Sequence, residues 1–395
     1  MLKRNPIDTY CDKKIPTLQK AYDGLIDYID ISSVDNTEKK IVSFQTLAAK
    51  DAPSRAKQLL KKGDILVSTV RPNLNAVAIV EEETENLMVG STGYCVLRCN
   101  GTMDNRYLFN FCQSQYFIDD MTSQATGASY PAVSNGIVRN SLIPVYPIEQ
   151  QREIADRLDT VSNLIALRKQ QLSELDNLVK SRFIELFGNG NYPRTDLINL
   201  IVEGAGLSYG IVQPGDDGTG DMGVLRPVDL VDGKISTTAI KYIDRSIGDS
   251  FKKTELTGNE LLITVRGTTG ITALTDSRFV GMNVTRGIAV VRYDRSKINP
   301  IYLQAYLNTD ESQQYIQEHT RGATLQQINL SDLRNQQILV PPMAVQEQMA
   351  AFVEHTDKLK FTVRNTITIY TALILYFANF HWERRASVSN KGVKP

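Results

Sequence analysis

The chain has 395 residues, 42% hydrophobic and 22% charged. This is a globular composition in a chain too long for one core of ordinary size. Lys plus Arg and Asp plus Glu number 44 each, so no overall positive charge marks a nucleic-acid binder, and any such contact must come from clustered basic side chains or a partner.

Four cysteines, Cys11, Cys95, Cys99 and Cys112, are too few for a disulfide framework and fit a reducing cytosol. The opening MLKRNPIDTY lacks the apolar core of a secretory signal. The apolar stretch 371–380 falls well short of the roughly 20 residues a membrane span needs, so the expected location is the cytoplasm.

In chain order, apolar runs at 65–70 and 76–80 predict short strands, and 107–121 predicts an amphipathic helix. A long helix is expected over 147–187, with Pro147 at its first position and Gly188 as its stop. Along it Ile154, Leu158, Val161, Ile165, Arg168, Leu172, Leu175, Val179, Arg182 and Leu186 alternate at spacings of four and three, a heptad seam apolar except at the arginines. Strands follow at 261–265 and 288–292, a second amphipathic helix at 302–319, and a second long helix at 342–382. Its seam is weaker: Met349, Val353, Thr356, Lys360, Val363, Ile367, Tyr370, Ile374, Phe377 and His381.

The second seam lies 195 positions after the first, and so does much else. Gly63, Leu66, Thr69, Val70 and Arg71 recur as Gly258, Leu261, Thr264, Val265 and Arg266. Tyr107-Leu108 recurs as Tyr302-Leu303, Gly127-Ala128 as Gly322-Ala323, and Arg139-Asn140 as Arg334-Asn335. Gly93, Val96 and Arg98 return at Gly287, Val290 and Arg292 after 194 positions, and Val34-Asp35 matches Val231-Asp232 after 197. Two copies fill almost the whole chain. The expected architecture is α+β: mixed α/β domains at 1–146 and 189–341, long helices at 147–188 and 342–385, and a polar tail at 386–395 expected to lack fixed structure. A helix of about 40 residues, roughly 60 Å long, cannot bury its stripe alone. The expected partner is the other long helix, in an antiparallel coiled coil with pseudo-twofold symmetry.

Catalytic signatures are weak. His319, His355 and His381 all fall in predicted helices, and Cys95 and Cys99 lack a second ligand pair for zinc. No phosphate loop is present. Val340-Pro341-Pro342-Met343 has the two prolines of a DNA amino-methyltransferase motif without its flanks. Asp232-Gly233-Lys234 and Glu38-Lys39-Lys40 match half of a nuclease site, but the turn or surface reading is favoured. No catalytic residue or metal ligand is assigned.

Polar loops mixing arginine, amide and hydroxyl groups are the stronger signal. Candidate DNA contacts in the first copy are Arg71, Asn73, Asn75, Ser91, Thr92, Tyr94, Ser129 and Tyr130. In the second they are Arg266, Thr268, Thr269, Asn283, Arg286, Arg321, Thr324 and Gln326. Arginine can pair with guanine through two hydrogen bonds, Asn or Gln with adenine, and hydroxyls suit phosphates. Framework positions match between copies while loop positions differ, as two different half-sites would require. Leu164, Leu167 and Leu178, off the seam, either dock a partner or widen the helix interface.

Both long helices begin with the same signature, Pro147-Ile-Glu-Gln-Gln151-Arg-Glu-Ile-Ala155 and Pro342-Met-Ala-Val-Gln346-Glu-Gln-Met-Ala350. With the segments Gly63-Asp-Ile-Leu66 and Gly258-Asn-Glu-Leu261 and the two Gly-Ala turns, the chain resembles the specificity subunit of Type I restriction–modification systems. The resemblance implies two target recognition domains, each reading one half of a bipartite duplex DNA target, with the helices as spacer. It also implies two modification subunits that methylate adenine with S-adenosylmethionine, two restriction subunits that use ATP and Mg, and no active site or cofactor in the specificity chain. An autonomous nuclease or methyltransferase and a coiled-coil protein scaffold remain the alternative readings.

Overall fold

The computed structural model describes residues 3–188, 190–213, 215, 220–323 and 325–382. The chain divides into two compact units, the first holding residues up to 169 and those from 364 onward, the second residues 170–363. The division falls within the long helices, Ile148–Phe187 and Met343–Trp382, each of 40 residues. Pro147 and Pro342 each stand one position before the helix expected to start on them. Gly188 N–H closes the first helix on the Ile184 carbonyl at 2.7 Å. The tail 386–395 lies outside the described residues.

In the first unit, Ile65–Ser68 is the centre of a three-stranded antiparallel sheet between Tyr94–Leu97 and Val77–Ile79. Beside it a four-stranded sheet runs in the order Gln45–Ala48, Leu25–Ile29, Leu87–Ser91, Ala56–Leu59, with its two inner strands parallel. The second unit repeats the plan. Leu261–Thr264 is flanked by Ile288–Val291 and Thr272–Leu274, and Met222–Leu225 pairs in parallel with Asn283–Val284. The first edge pairing also repeats, Arg4–Pro6 against Leu142–Pro144 and Arg194–Asp196 against Gln337–Leu339.

The amphipathic helices expected at 107–121 and 302–319 are each two helices. Asn105–Cys112 is followed by Gln115–Ser123, and Pro300–Leu307 by Asp310–His319. The break is a capping event: the Ser114 hydroxyl accepts Phe117 N–H and the Thr309 hydroxyl accepts Ser312 N–H, restarting the helix where the first stops.

Every seam position of both long helices is buried or half-buried, the polar ones included. In the first unit Ile154, Ala155 and Leu158 share one core with Ile374, Phe377, Ala378 and Trp382. In the second, Val179, Phe183, Leu186 and Phe187 share one with Val345, Met349 and Val353. The pairing sense is antiparallel within each unit. Lys360 Nζ meets Asp176 Oδ1 at 2.6 Å while Phe352 lies under Arg182, and in the other unit Tyr146 bonds His381 while Val161 and Phe377 wall one groove. Each globular core is thus closed by the start of its own long helix and the end of the other copy's. Trp382 packs edge-on against Tyr107 at 4.9 Å, and Phe187 against Tyr302 at 5.4 Å.

Candidate nucleic-acid interface

In the first unit three loops meet beyond the C-terminal end of strand Ile65–Ser68. The strand's continuation is bonded on one side to the 91–94 turn, where Thr69 N–H reaches the Gly93 carbonyl at 2.9 Å. On the other side it meets the 126–132 loop, through Val133 N–H to Thr69 O at 2.9 Å and Arg71 N–H to Pro131 O at 2.7 Å. These bonds leave the loop tips, Arg71, Asn73, Thr92, Ser129 and Tyr130, exposed. The Arg71 guanidinium lies over the Tyr130 ring, 4.8 Å from its centre.

The second unit makes the same convergence with Val265 N–H to Gly287 O at 2.8 Å, Ile328 N–H to Val265 O at 3.0 Å and Gly267 N–H to Gln326 O at 2.9 Å. Thr268, Arg286, Arg321 and Gln326 are exposed there. Thr324 lies outside the described residues.

The hydrogen bonds reveal a slip in the repeat. Arg71 and Arg266 align at 195 in sequence, but Arg266 pairs with Gln327 as Val70 pairs with Ala132, and Gly267 takes the backbone role of Arg71. The cause lies upstream. Asp64 follows Gly63 directly and binds Arg98, whereas the acid that meets Arg292 is Glu260, two residues after Gly258. One added residue between the glycine and the buried acid shifts the whole strand to a spacing of 196.

Several sequence candidates are framework groups and are withdrawn as DNA contacts. Tyr94 is fully buried and its hydroxyl donates to the Asp30 carbonyl at 2.6 Å. Burial raises its phenol far above the ordinary range. Asn75 is buried, donating to the Cys112 carbonyl at 2.9 Å and accepting from Lys39 Nζ at 2.8 Å. Asn283 is fully buried and accepts from the Thr254 hydroxyl at 2.8 Å. Ser91 is buried, its hydroxyl accepting Gly93 N–H at 3.2 Å. A buried polar group satisfied inside the protein cannot also reach a base. Thr269 is half-buried with its hydroxyl 3.0 Å from that of Thr320, and Arg266 is half-buried too.

Sequence reading missed Arg55. Its carbonyl accepts Thr92 N–H at 2.9 Å, which sets this exposed arginine beside the loop cluster from far along the chain. No local pattern announces it, because only the sheet brings it there.

The nuclease-like triplets lie at the turns of two matching hairpins, Val34–Asp35 with Lys40–Ile41 and Leu230–Val231 with Lys234–Ile235. Glu38 pairs with Lys169 at 2.8 Å. Among the described residues no group of three or more His, Cys, Asp or Glu side chains is placed to hold a metal ion. No helix among them is long and apolar enough to cross a membrane.

A sequence model of the Type I restriction modification DNA specificity domain matches residues 9–177 and 219–369. The Type I restriction enzyme EcoBI specificity subunit of Escherichia coli is 21% identical over 283 residues, 64% of this chain and 60% of that subunit. The Type I restriction enzyme MjaVIII specificity subunit of Methanocaldococcus jannaschii is 24% identical over 126 residues, 31% of this chain and 29% of that one. The chain thus spans less than two thirds of the length of these relatives. The fold is shared with a chain from a solved type I R-M system, at a TM-score of 0.61 and 23% identity, covering 96% of this chain and 97% of that one. With the specificity-domain model matching two segments that together cover most of its length, the chain belongs to the Type I restriction modification DNA specificity family.

Proposed function

We propose that this chain is the DNA-specificity subunit of a Type I restriction–modification complex, each unit reading one half of a bipartite target through its loop cluster. The observation that carries the reading is the same three-loop convergence built twice on matching hydrogen bonds, with different side chains at the tips. Arginine, amide and hydroxyl groups on such tips suit base edges and phosphates. With no net charge on the chain, much of the attraction to DNA falls to partner subunits.

The long helices act as spacer and as seat for two modification subunits. On the second helix Ile369, Leu373, Tyr376 and Phe380 are 64, 38, 67 and 40% exposed and repeat the 4-3-4 spacing of the buried seam one position away. That is a second apolar stripe suited to an amphipathic helix of a partner. Leu167 in the first unit and Leu178 in the second are also exposed on the first helix and are candidate docking positions, each in its own unit, while Leu164 is half-buried. The chain itself is non-catalytic in this reading and resides in the cytoplasm. S-adenosylmethionine, ATP and Mg belong to the modification and restriction subunits.

The test is sequencing of methylated bases in a host carrying the chain with its modification partner. A bipartite methyladenine motif, one half of which changes when loops 71–75, 91–94 and 126–132 are exchanged together, is the expected result. Methylation indifferent to deletion of this chain would reject the proposal.

A further inference from the structure

The two loop clusters differ at their tips in a coordinated way. Gly127 and Gly322 share a φ of 104°, and a β-carbon at either would run into the carbonyl three residues on, so both copies build the same tight turn. Tyr130 stands in the first turn where Leu325 stands in the second. The backbone position of Arg71 is filled by Gly267. Both members of the Arg71–Tyr130 stack are therefore replaced together, while the bonds beneath them are kept.

Arg71 is also held unusually. Its backbone is left-handed, with φ 50° and ψ 60°, a conformation that a β-carbon disfavours and that Gly267 adopts at φ 85° without that penalty. Among the described residues no carboxylate pairs with its guanidinium, which lies over the exposed Tyr130 ring, 4.8 Å from its centre. A guanidinium packed over a ring, with no carboxylate on it, keeps its N–H donors available to a ligand. Two adjacent acceptors in one plane, such as guanine O6 and N7 in the major groove, fit that fork.

We infer that Arg71, preorganised on Tyr130, reads a guanine in the half-site of the first unit, and that the second unit reads its half without an arginine there. The inference rests on the function proposed above. Tyr130 is a positioning residue, acting through Arg71.

The experiment uses the full chain in its modification complex, with methylated sites mapped genome-wide for the wild type and for Arg71→Gly, Arg71→Lys, Tyr130→Phe and Tyr130→Ala. The wild-type motif is expected to hold a fixed guanine in the half-site that follows the first unit's loops. Arg71→Gly, which installs the second unit's residue, should lower discrimination at that position alone by on the order of 10- to 100-fold. Arg71→Lys, which keeps charge but lacks the fork, should relax the same position. Tyr130→Phe should keep it and Tyr130→Ala should weaken it. The unchanged second half-site reports a folded complex, and if Arg71→Gly abolishes all methylation, Arg71→Lys decides. Full selectivity at every position in Arg71→Lys overturns the inference. So does a uniform loss across all sites with a shallower salt dependence, the mark of a phosphate contact. Methylation that persists without the chain would instead overturn the proposed function.

Discussion

Asp64 and Arg98 form a two-point ion pair inside the first unit, Oδ1 to Nε at 2.7 Å and Oδ2 to Nη2 at 2.6 Å, with Asp64 fully buried. The third arginine nitrogen bond goes inward as well, from Nη2 to the Leu59 carbonyl at 3.0 Å. Removing the carboxylate would leave a buried cation without its partner. Asp64→Ala should destabilise the first unit by about 3–5 kcal/mol. Denaturant unfolding of the variant is the check, and a loss under about 1 kcal/mol would show the pair to be dispensable.

Trp382, the chain's single tryptophan, is buried against Tyr107 and Phe111. Among the described residues its indole N–H has no hydrogen-bond partner, so its contribution to this core is packing. Trp382→Ala should cost about 3–5 kcal/mol, whereas Trp382→Phe, which keeps an aromatic ring and loses no bond, should cost less. Because the indole sits in the first unit's core, intrinsic tryptophan fluorescence should follow unfolding of that unit and be silent to unfolding of the other. A fluorescence transition that moves with second-unit substitutions such as Tyr302→Ala, at unchanged first-unit stability, would contradict this.

Lys39, in the turn of the first hairpin, gives Nζ bonds to the Asn75 carbonyl at 2.6 Å and side chain at 2.8 Å. Burial pushes its ammonium down from 10.5 to about 8, against the opposing pull of Asp35. The folded chain thus holds this proton less tightly than the unfolded chain. The stability it contributes is present above pH 10.5 and is lost as pH falls through about 8. The stability of the wild type minus that of Lys39→Met should therefore grow between pH 8 and 10.5. A difference flat across that window would show that the amine is not desolvated.

Gly127→Ala places a β-carbon 2.9 Å from the Tyr130 carbonyl at a φ of 104°. The strain, about 1–3 kcal/mol, falls on the exposed turn and away from the core. The variant should stay folded, melting on the order of several degrees lower, while degrading selectivity in one half-site of the methylation motif. Gly322→Ala should do the same to the other half-site. Identical effects of the two substitutions on both half-sites would break the assignment of one turn to each.

The duplication and the paired seams were legible because periodicity survives divergence. Polar seam residues such as Thr356 and Lys360 keep their positions although their chemistry is wrong for a core. The strand register was not. Leu66, Thr69, Val70 and Arg71 find identical letters 195 positions on, and those identities conceal the residue inserted before Glu260. The partner strands, Leu97 opposite Ile65 and Val291 opposite Leu261, expose the slip, as the loop hydrogen bonds do. Tyr94, Asn75 and Asn283 looked like reading groups because a polar side chain that satisfies a buried carbonyl and one that meets a base are the same letter. Arg55 was invisible for the opposite reason, its place by Thr92 being made by a sheet rather than a motif.

The closing of each core by the far end of the other copy's helix sets an order of events on the ribosome. Tyr107 waits for Trp382, 275 residues later, which at about 5–20 residues per second is roughly 15–55 s of synthesis. The second unit, residues 170–363, is one unbroken stretch and has all its parts before the first is complete. The half of the protein made first is therefore the half that matures last, and during that interval the apolar bed of Tyr107 and Phe111 lacks the cover of Trp382.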